Sequence, residues 1–491
     1  MIKQSEFEQP MKKANIYLIG SIAAMAGLLF GFDTGVISGA QEFLFKTFEV
    51  GGASIRGFVV SAVPLGALMG AIVSGFFAKE LGRRKSIIMT AILFSIGTLS
   101  AAFAPSLLSV VIGRLLMGLA IGISAMVVPM YLSEVSPARV RGTIIFLFQL
   151  AITLGLMGAF AINLTFASWI QDTATNWRWM FGIGIVPSVL LFLGMVFIMP
   201  NSPRWLMLKG RKEEARKVLQ YLLGKVDVSS CMDEMEESLR HEGDKNWKLL
   251  FRKPLLPLIL MTFGLFVFQQ LSGINAIMYY GPEVFASAGF GEKAKFLAQL
   301  FMGLTNVIAT VFGVWVIDKL GRRPLLFIGF TGMVICLGVL SFCLGSNGAY
   351  ATLSLASTLL YVVFFAISLG GVPYIMMSEV FPLKSRSTGM AIASCANWLF
   401  NMLVSFSFVI LVDKMGGMEN VFMLYGICTI VGLVFAWRYV PETKGRHLED
   451  IEHNLYDGKA LRYIGNSLED KELKKSVAAF ALEKEKEQKV V

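Results

Sequence analysis

The chain has 491 residues, of which 55% are hydrophobic and 16% charged, with a mean hydropathy of +0.65 and a net charge of +10. A soluble domain carries about a quarter charged residues, so this composition excludes the soluble globular class. The positive charges fall in short clusters between apolar runs, not on one face, which excludes a nucleic-acid binder and follows the charge pattern of membrane proteins.

Apolar runs of about 20 residues, each long enough to cross the hydrocarbon core, predict twelve spans. They lie at 16–39, 58–78, 86–104, 107–131, 143–166, 178–199, 255–280, 296–317, 325–345, 351–377, 387–411 and 420–440. The first run is too long for a signal peptide and ends in no small-residue cleavage pattern, so it is read as a span. It carries Asp33 within GLLFGFDTGVISG. The fourth carries Arg114 within VIGRLLMGL. A lone charge at such depth costs about 2.5–3.5 kcal/mol on insertion scales. Span 1 runs outward and span 4 inward, and both charges fall about 9–10 Å from the same end at the helical rise. Asp33 and Arg114 can therefore pair. Such a pair either couples proton binding to a helix movement or is a static contact that fixes packing.

Further along, Gln149 opens the middle of span 5. The stretch 200–254 is a charged linker, with helix-prone segments at 211–224 and 231–242. Span 7 carries Gln269, Gln270, Asn275, Tyr279 and Tyr280, span 8 carries Asn306, and span 11 carries Asn397, Trp398 and Asn401. Amides donate and accept, so a cluster of them suits a neutral polyhydroxyl ligand, with Trp and Tyr supplying apolar faces. The competing reading is hydrogen bonding between helices, worth about 0.6 kcal/mol a pair. After Pro441 the chain is charged and read as a mobile or weakly helical tail.

Three motifs recur. Leu81-Gly82-Arg83-Arg84 returns as Leu320-Gly321-Arg322-Arg323. Ser133-Glu134-Val135-Ser136-Pro137 with Arg141 returns as Ser378-Glu379-Val380-Phe381-Pro382 with Arg386. Pro200-Asn201-Ser202-Pro203-Arg204 has a looser echo in Pro441-Glu442-Thr443-Lys444. Each pair holds the same place in its own set of six spans. The expected layout is an N-terminal six-helix bundle (1–199), a linker (200–254), a C-terminal bundle (255–440) and a tail (441–491), the two bundles related by a parallel repeat. Two such bundles can rock about a site between them. Arg83, Glu134, Arg141, Asp318, Arg322, Glu379 and Arg386 sit at helix ends on one side and are expected to form ion pairs that hold that side shut in one state. Lys and Arg crowd the loops on this side, which places both termini in the cytoplasm. The five cysteines form no CxxC and no Cys/His cluster, and no nucleophile–base set or phosphate loop appears, so neither a metal, a cofactor nor an enzyme is expected.

The segments GLLFGFDTGVISGA, LGRRKS, GRLLMGLAIG, YLSEVSPARVRGT, PNSPRWL, QQLSGINAIMYYGPEVF, GLTNVIATVFGVWVIDKLGRRP, SEVFPLKSR, NW and VPETKG resemble the sugar porter family of the major facilitator superfamily over about residues 12–455. Bacterial proton-coupled galactose, arabinose and xylose symporters are the nearest likeness. The resemblance implies an all-α integral membrane protein that imports a hexose or pentose with a proton by alternating access. A facilitative uniporter is the alternative and a non-transporting sensor a remote one. It implies Asp33 as the proton-binding carboxylate with Arg114 as its partner. Gln149, Gln269, Gln270, Asn275, Tyr279, Asn306, Tyr374, Asn397, Trp398 and Asn401 would line the sugar site, and the seven helix-end charges would form the inner gate. Its implied partners are a monosaccharide, a proton and the lipid bilayer, with the protein a monomer in the cytoplasmic membrane of a bacterium. The chain departs from the family at Tyr374, where a Trp is usual, at Gly371, where a Pro is usual, and at Leu156, where xylose carriers place a second Gln.

Overall fold

In lipid a backbone must satisfy its own polar groups, and a single apolar segment does so only as a helix. The computed structural model describes residues 15–224, 227–241, 255–346, 348–382, 385–446 and 448–466. Among them twelve helices are long and apolar enough to cross a membrane. They are span 1 (Ile16–Thr47), span 2 (Ala53–Glu80), span 3 (Arg83–Ala102), span 4 (Leu107–Val135), span 5 (Arg141–Trp169) and span 6 (Thr173–Phe197). The second six are span 7 (Leu256–Ser287), span 8 (Glu292–Ile317), span 9 (Arg322–Leu344), span 10 (Ala351–Glu379), span 11 (Thr388–Met415) and span 12 (Met418–Tyr439). Each falls on an expected run, and several are longer. Span 1 continues past 39 to Thr47 because Gln41 and Glu42, which break the apolar run, find partners on neighbouring spans.

The packing repeats with the sequence. Span 1 lies along span 5, span 2 along span 4, and span 3 against spans 4 and 6. Adding six to each number gives the second half, where span 7 meets span 11, span 8 meets span 10, and span 9 meets spans 10 and 12. The halves join where span 2 meets span 11 and span 5 meets span 8, which are images of each other under the same shift, and where span 1 meets span 7. The result is an all-α protein of two pseudo-symmetric six-helix bundles. Without a hydrophobic force between helices in lipid, close contact depends on small residues. At Gly31 an added Cβ would lie 1.8 Å from the Ile152 carbonyl oxygen on span 5, so the two backbones touch there.

Three spans are interrupted. Span 6 divides into Thr173–Gly182 and Ile185–Phe197, span 7 into Leu256–Leu271 and Ile274–Ser287, and span 10 into Ala351–Ile367 and Val372–Glu379. The span 7 break is made by Gly273, whose φ of 85° is one that L side chains rarely adopt. Between spans 6 and 7 lie short helices Pro203–Leu208, Lys212–Leu223 and Ser229–His241. The last two fall on the helix-prone segments; the first starts where the Ser202 hydroxyl accepts from the Trp205 N–H. The rest of the expected linker, 225–226 and 242–254, lies outside the described residues, as does 467–491 of the expected tail. The preceding segment is partly helical, one of the two readings expected of the tail. It contains helix Leu448–Tyr456 and the turn Leu461–Tyr463, clipped together by Asn454 Nδ2, which donates to the carbonyls of Ile464 and Asn466.

Candidate functional site

Asp33 and Arg114 meet, as their depths required. Arg114 Nη1 lies 3.4 Å from Asp33 Oδ1, and neither side chain is more than 1% exposed. The other anchors of Arg114 come from span 2. Pro64 has no N–H to give to the carbonyl of Val60, four residues back in the helix. The guanidinium supplies donors there, Nη2 to Val60 O at 3.3 Å and Nε to Val59 O at 3.0 Å. Its plane also faces the Phe181 ring at 5.7 Å. Arg114 is therefore held on span 2 independently of Asp33. Asp33 has one long bond and nothing else: its Oδ2 is buried and has no partner among the described residues.

Beside Asp33, Thr34 reaches across the bundle interface. The Tyr279 side chain lies close to Thr34 of span 1 and to Asn401 of span 11. From Tyr279 the polar set continues through spans 7, 10 and 11. Asn275 Nδ2 donates to Gln270 Oε1, Gln270 Nε2 donates to Asn397 Oδ1 at 2.6 Å, and Tyr374 lies beside Asn397. The Tyr374 ring sits edge-on to Phe266 at 5.0 Å yet is 39% exposed, so it borders open space instead of filling core. Trp398 packs on Phe30 of span 1 with ring centroids 5.2 Å apart.

The breaks in spans 7 and 10 are stitched to each other. Interrupting a helix strands carbonyls that lipid cannot satisfy. Gln269 of span 7 donates to the Leu369 carbonyl in the span 10 break, and Tyr361 of span 10 donates to the Ser272 carbonyl in the span 7 break at 2.9 Å. Gln269 thus serves the backbone, and its Oε1 is left buried without a donor, as is Asn401 Oδ1. Gln149 and Asn306 are half-buried and have no hydrogen bond among the described residues. Unused amide groups, set among bonded ones and aromatic rings between two bundles, can take up hydroxyl groups of a neutral ligand.

The two ends of the molecule differ. At the end bearing the Gly-Arg-Arg turns, called the basic face, Arg83 pairs with Glu134 at 2.7 Å and Arg322 with Glu379 at 2.8 Å. Each pair stays within one half. The looser repeat now has a meaning: Ser202 donates to Glu134, and Thr443 donates to Glu379. Arg84 caps the end of span 6 through the carbonyls of Met195 and Val196. Arg141 is exposed and has no partner among the described residues, and the side chains of Asp318 and Arg386 lie outside them.

At the opposite face, polar contacts cross between halves. Gln41 donates to the Tyr279 carbonyl at 2.9 Å, Gln299 to the Ser38 hydroxyl at 2.7 Å, and Lys295 to Glu42 at 2.7 Å. Lys295 also binds Glu292 at 2.8 Å and is only 4% exposed. Sequence reasoning did not find this set. The signal available was Gln41 and Glu42 one turn beyond an apolar run, opposite Lys295 and Gln299 one turn apart.

Residues 19–455 match the family described as sugar (and other) transporters. A D-xylose transporter of Levilactobacillus brevis is 39% identical over 91% of this chain and 97% of its own length. A galactose-proton symporter of Escherichia coli K12 is 37% identical over 92% of this chain and 97% of its own. Among solved structures, the partially occluded inward-open conformation of the E. coli xylose transporter XylE aligns with a TM-score of 0.78 at 30% identity, covering 88% of this chain and 99% of that one.

Proposed function

The chain belongs to the sugar (and other) transporter family, and on that premise we propose that it imports a monosaccharide, a hexose or a pentose, together with a proton by alternating access. The relatives are named for xylose, galactose with a proton, and glucose, which supports the substrate class. One observation carries the coupling: the Asp33–Arg114 pair is fully buried, and Asp33 Oδ2 has no partner among the described residues.

With the basic face in the cytoplasm, the closed opposite face is external and the molecule faces inward. That agrees with the inward-open form of the related xylose transporter. In the outward-facing state Asp33 takes a proton and its hold on Arg114 ends. Arg114 stays on the Val59 and Val60 carbonyls, so it is span 1 that is released, not the arginine. Sugar bound by Gln270, Asn275, Asn397 and Asn401, with Gln149 and Asn306 from flanking spans, draws Tyr279 toward Thr34. The external contacts at Ser38, Gln41 and Glu42 then form, and the basic face parts. Asp33 Oδ2, which has no partner here, is where a proton sits without displacing any hydrogen bond.

The test is the external pH of a weakly buffered, de-energised suspension of cells expressing the protein, as galactose, glucose, arabinose, xylose and inositol are added in turn. Transient alkalinisation with one sugar supports symport and identifies the substrate. Entry of labelled sugar to equilibrium with no pH change makes the protein a uniporter and the Asp33–Arg114 pair a packing contact.

A further inference from the structure

We propose that the basic face carries a binding site for the phosphate headgroup of an anionic phospholipid, built by Arg323 and Arg462 around Trp437. The two arginines come from distant parts of the chain. Arg323 lies in the first turn of span 9, and Arg462 lies on the turn Leu461–Tyr463, which folds back against the end of span 12. Trp437 stands between them. Arg323 Nη2 donates to its carbonyl at 3.0 Å, and the Arg462 guanidinium faces its ring at 5.4 Å and the Tyr463 ring at 5.8 Å.

Both guanidiniums contact the one residue, Trp437, so two like charges are gathered there. The nearest carboxylate is Glu442, and it is already committed: its oxygens accept from the backbone N–H groups of Arg322, Arg323, Thr443 and Lys444. Neither guanidinium has a carboxylate within ion-pair distance among the described residues, and Arg323 Nε is buried without an acceptor. Two like charges gathered by a folded segment around one indole make a site that an anion would stabilise. Its source follows from position. Trp437, Tyr439 and Tyr463 are about half exposed at the end of a membrane span, the level at which Trp and Tyr meet lipid headgroups. Basic pockets at this level between helix ends hold anionic headgroups, each basic side chain contributing about fivefold in affinity.

The experiment uses the whole protein in phosphatidylcholine nanodiscs, reading the fluorescence component that Trp437→Phe removes. Brominated phosphatidylglycerol should quench that component at a mole fraction about twentyfold lower than brominated phosphatidylcholine. Arg462→Gln, on a surface turn outside the bundles, should cut the preference about fivefold, and Arg323→Gln with Arg462→Gln should abolish it. Lys319→Gln, a cation on the same face stacked on Trp315 instead, should leave it unchanged. Equal quenching by the two lipids in the unaltered protein overturns the site. Relief of phosphatidylglycerol quenching by millimolar inorganic phosphate overturns the lipid assignment in favour of a free anion.

Discussion

A buried carboxylate depends on whatever donors surround it, and Asp33 has one, Arg114, at 3.4 Å on one oxygen only. Arg114 keeps its two carbonyl bonds on span 2 when Asp33 is neutralised, so its guanidinium loses its counter-ion but not its position. Asp33→Asn should therefore fold and bind sugar. It should exchange labelled sugar at near the normal rate in counterflow, while its energised accumulation falls to equilibrium; accumulation that persists in the variant refutes coupling through Asp33. Asn401 lies beside Tyr279 and has a buried Oδ1 with no partner among the described residues. Asn401→Ala should raise KM for the transported sugar about three- to tenfold, the worth of one neutral hydrogen bond, measured as initial uptake against sugar concentration. The Asp33–Arg114 pair was legible in the sequence because a charge stands out in an apolar run. Thr34 was not, since a threonine in a membrane helix is ordinary until its partner is seen. Nor did the sequence show that Gln269 would turn to a backbone carbonyl while Gln270 joins Asn275 and Asn397.

Among the elements, spans 7 and 10 are the ones whose breaks adjoin the amide set, and each uses a side chain to satisfy the other's freed carbonyl. They are expected to bend as a unit. The face opposite the basic one is held differently, by contacts between the two halves that must break if the halves rock apart there. Lys295 is the strongest of them, since it is almost fully covered and bound to both Glu42 and Glu292. Removing its charge should favour the outward-open form by about 1–2 kcal/mol, a factor of about 5–30 in population. Lys295→Gln should lengthen the distance between spin labels placed at the external ends of spans 1 and 8, and a distribution unchanged from the parent protein would show the pair to be incidental. Twelve spans and their order were readable from apolar length. The Glu42–Lys295 pair was not, because charges at helix ends are common and only the phase of spans 1 and 8 decides whether they face each other. The same limit applied at the basic face, where the sequence offered Arg141 to Glu134 as readily as Arg83.

At the scale of the molecule, the repeat seen in three motifs extends to the contact pattern of the spans. Among the described residues, the halves keep separate ion pairs at one face and share polar contacts at the other. With Lys and Arg concentrated at the first of these, a fluorescent protein joined to the C-terminus should fold and emit in the cytoplasm, whereas a phosphatase joined there should be inactive. The reverse pattern would invert the whole assignment of inner and outer faces.

The clasps at the basic face also bear on how the protein is made. Glu134, Arg83 and Ser202 all lie within the first 205 residues, and Ser202 follows directly on span 6. A ribosome that has just released span 6 therefore completes the first clasp a few residues later, with the second half still unsynthesised. Thr443 does the same for Glu379 as span 12 emerges. Each half arrives in the membrane already fastened, and the contacts of Ser38, Gln41 and Glu42 with spans 7 and 8 wait for both. Two polypeptides divided near residue 245, made together in one cell, should reassemble into a working carrier.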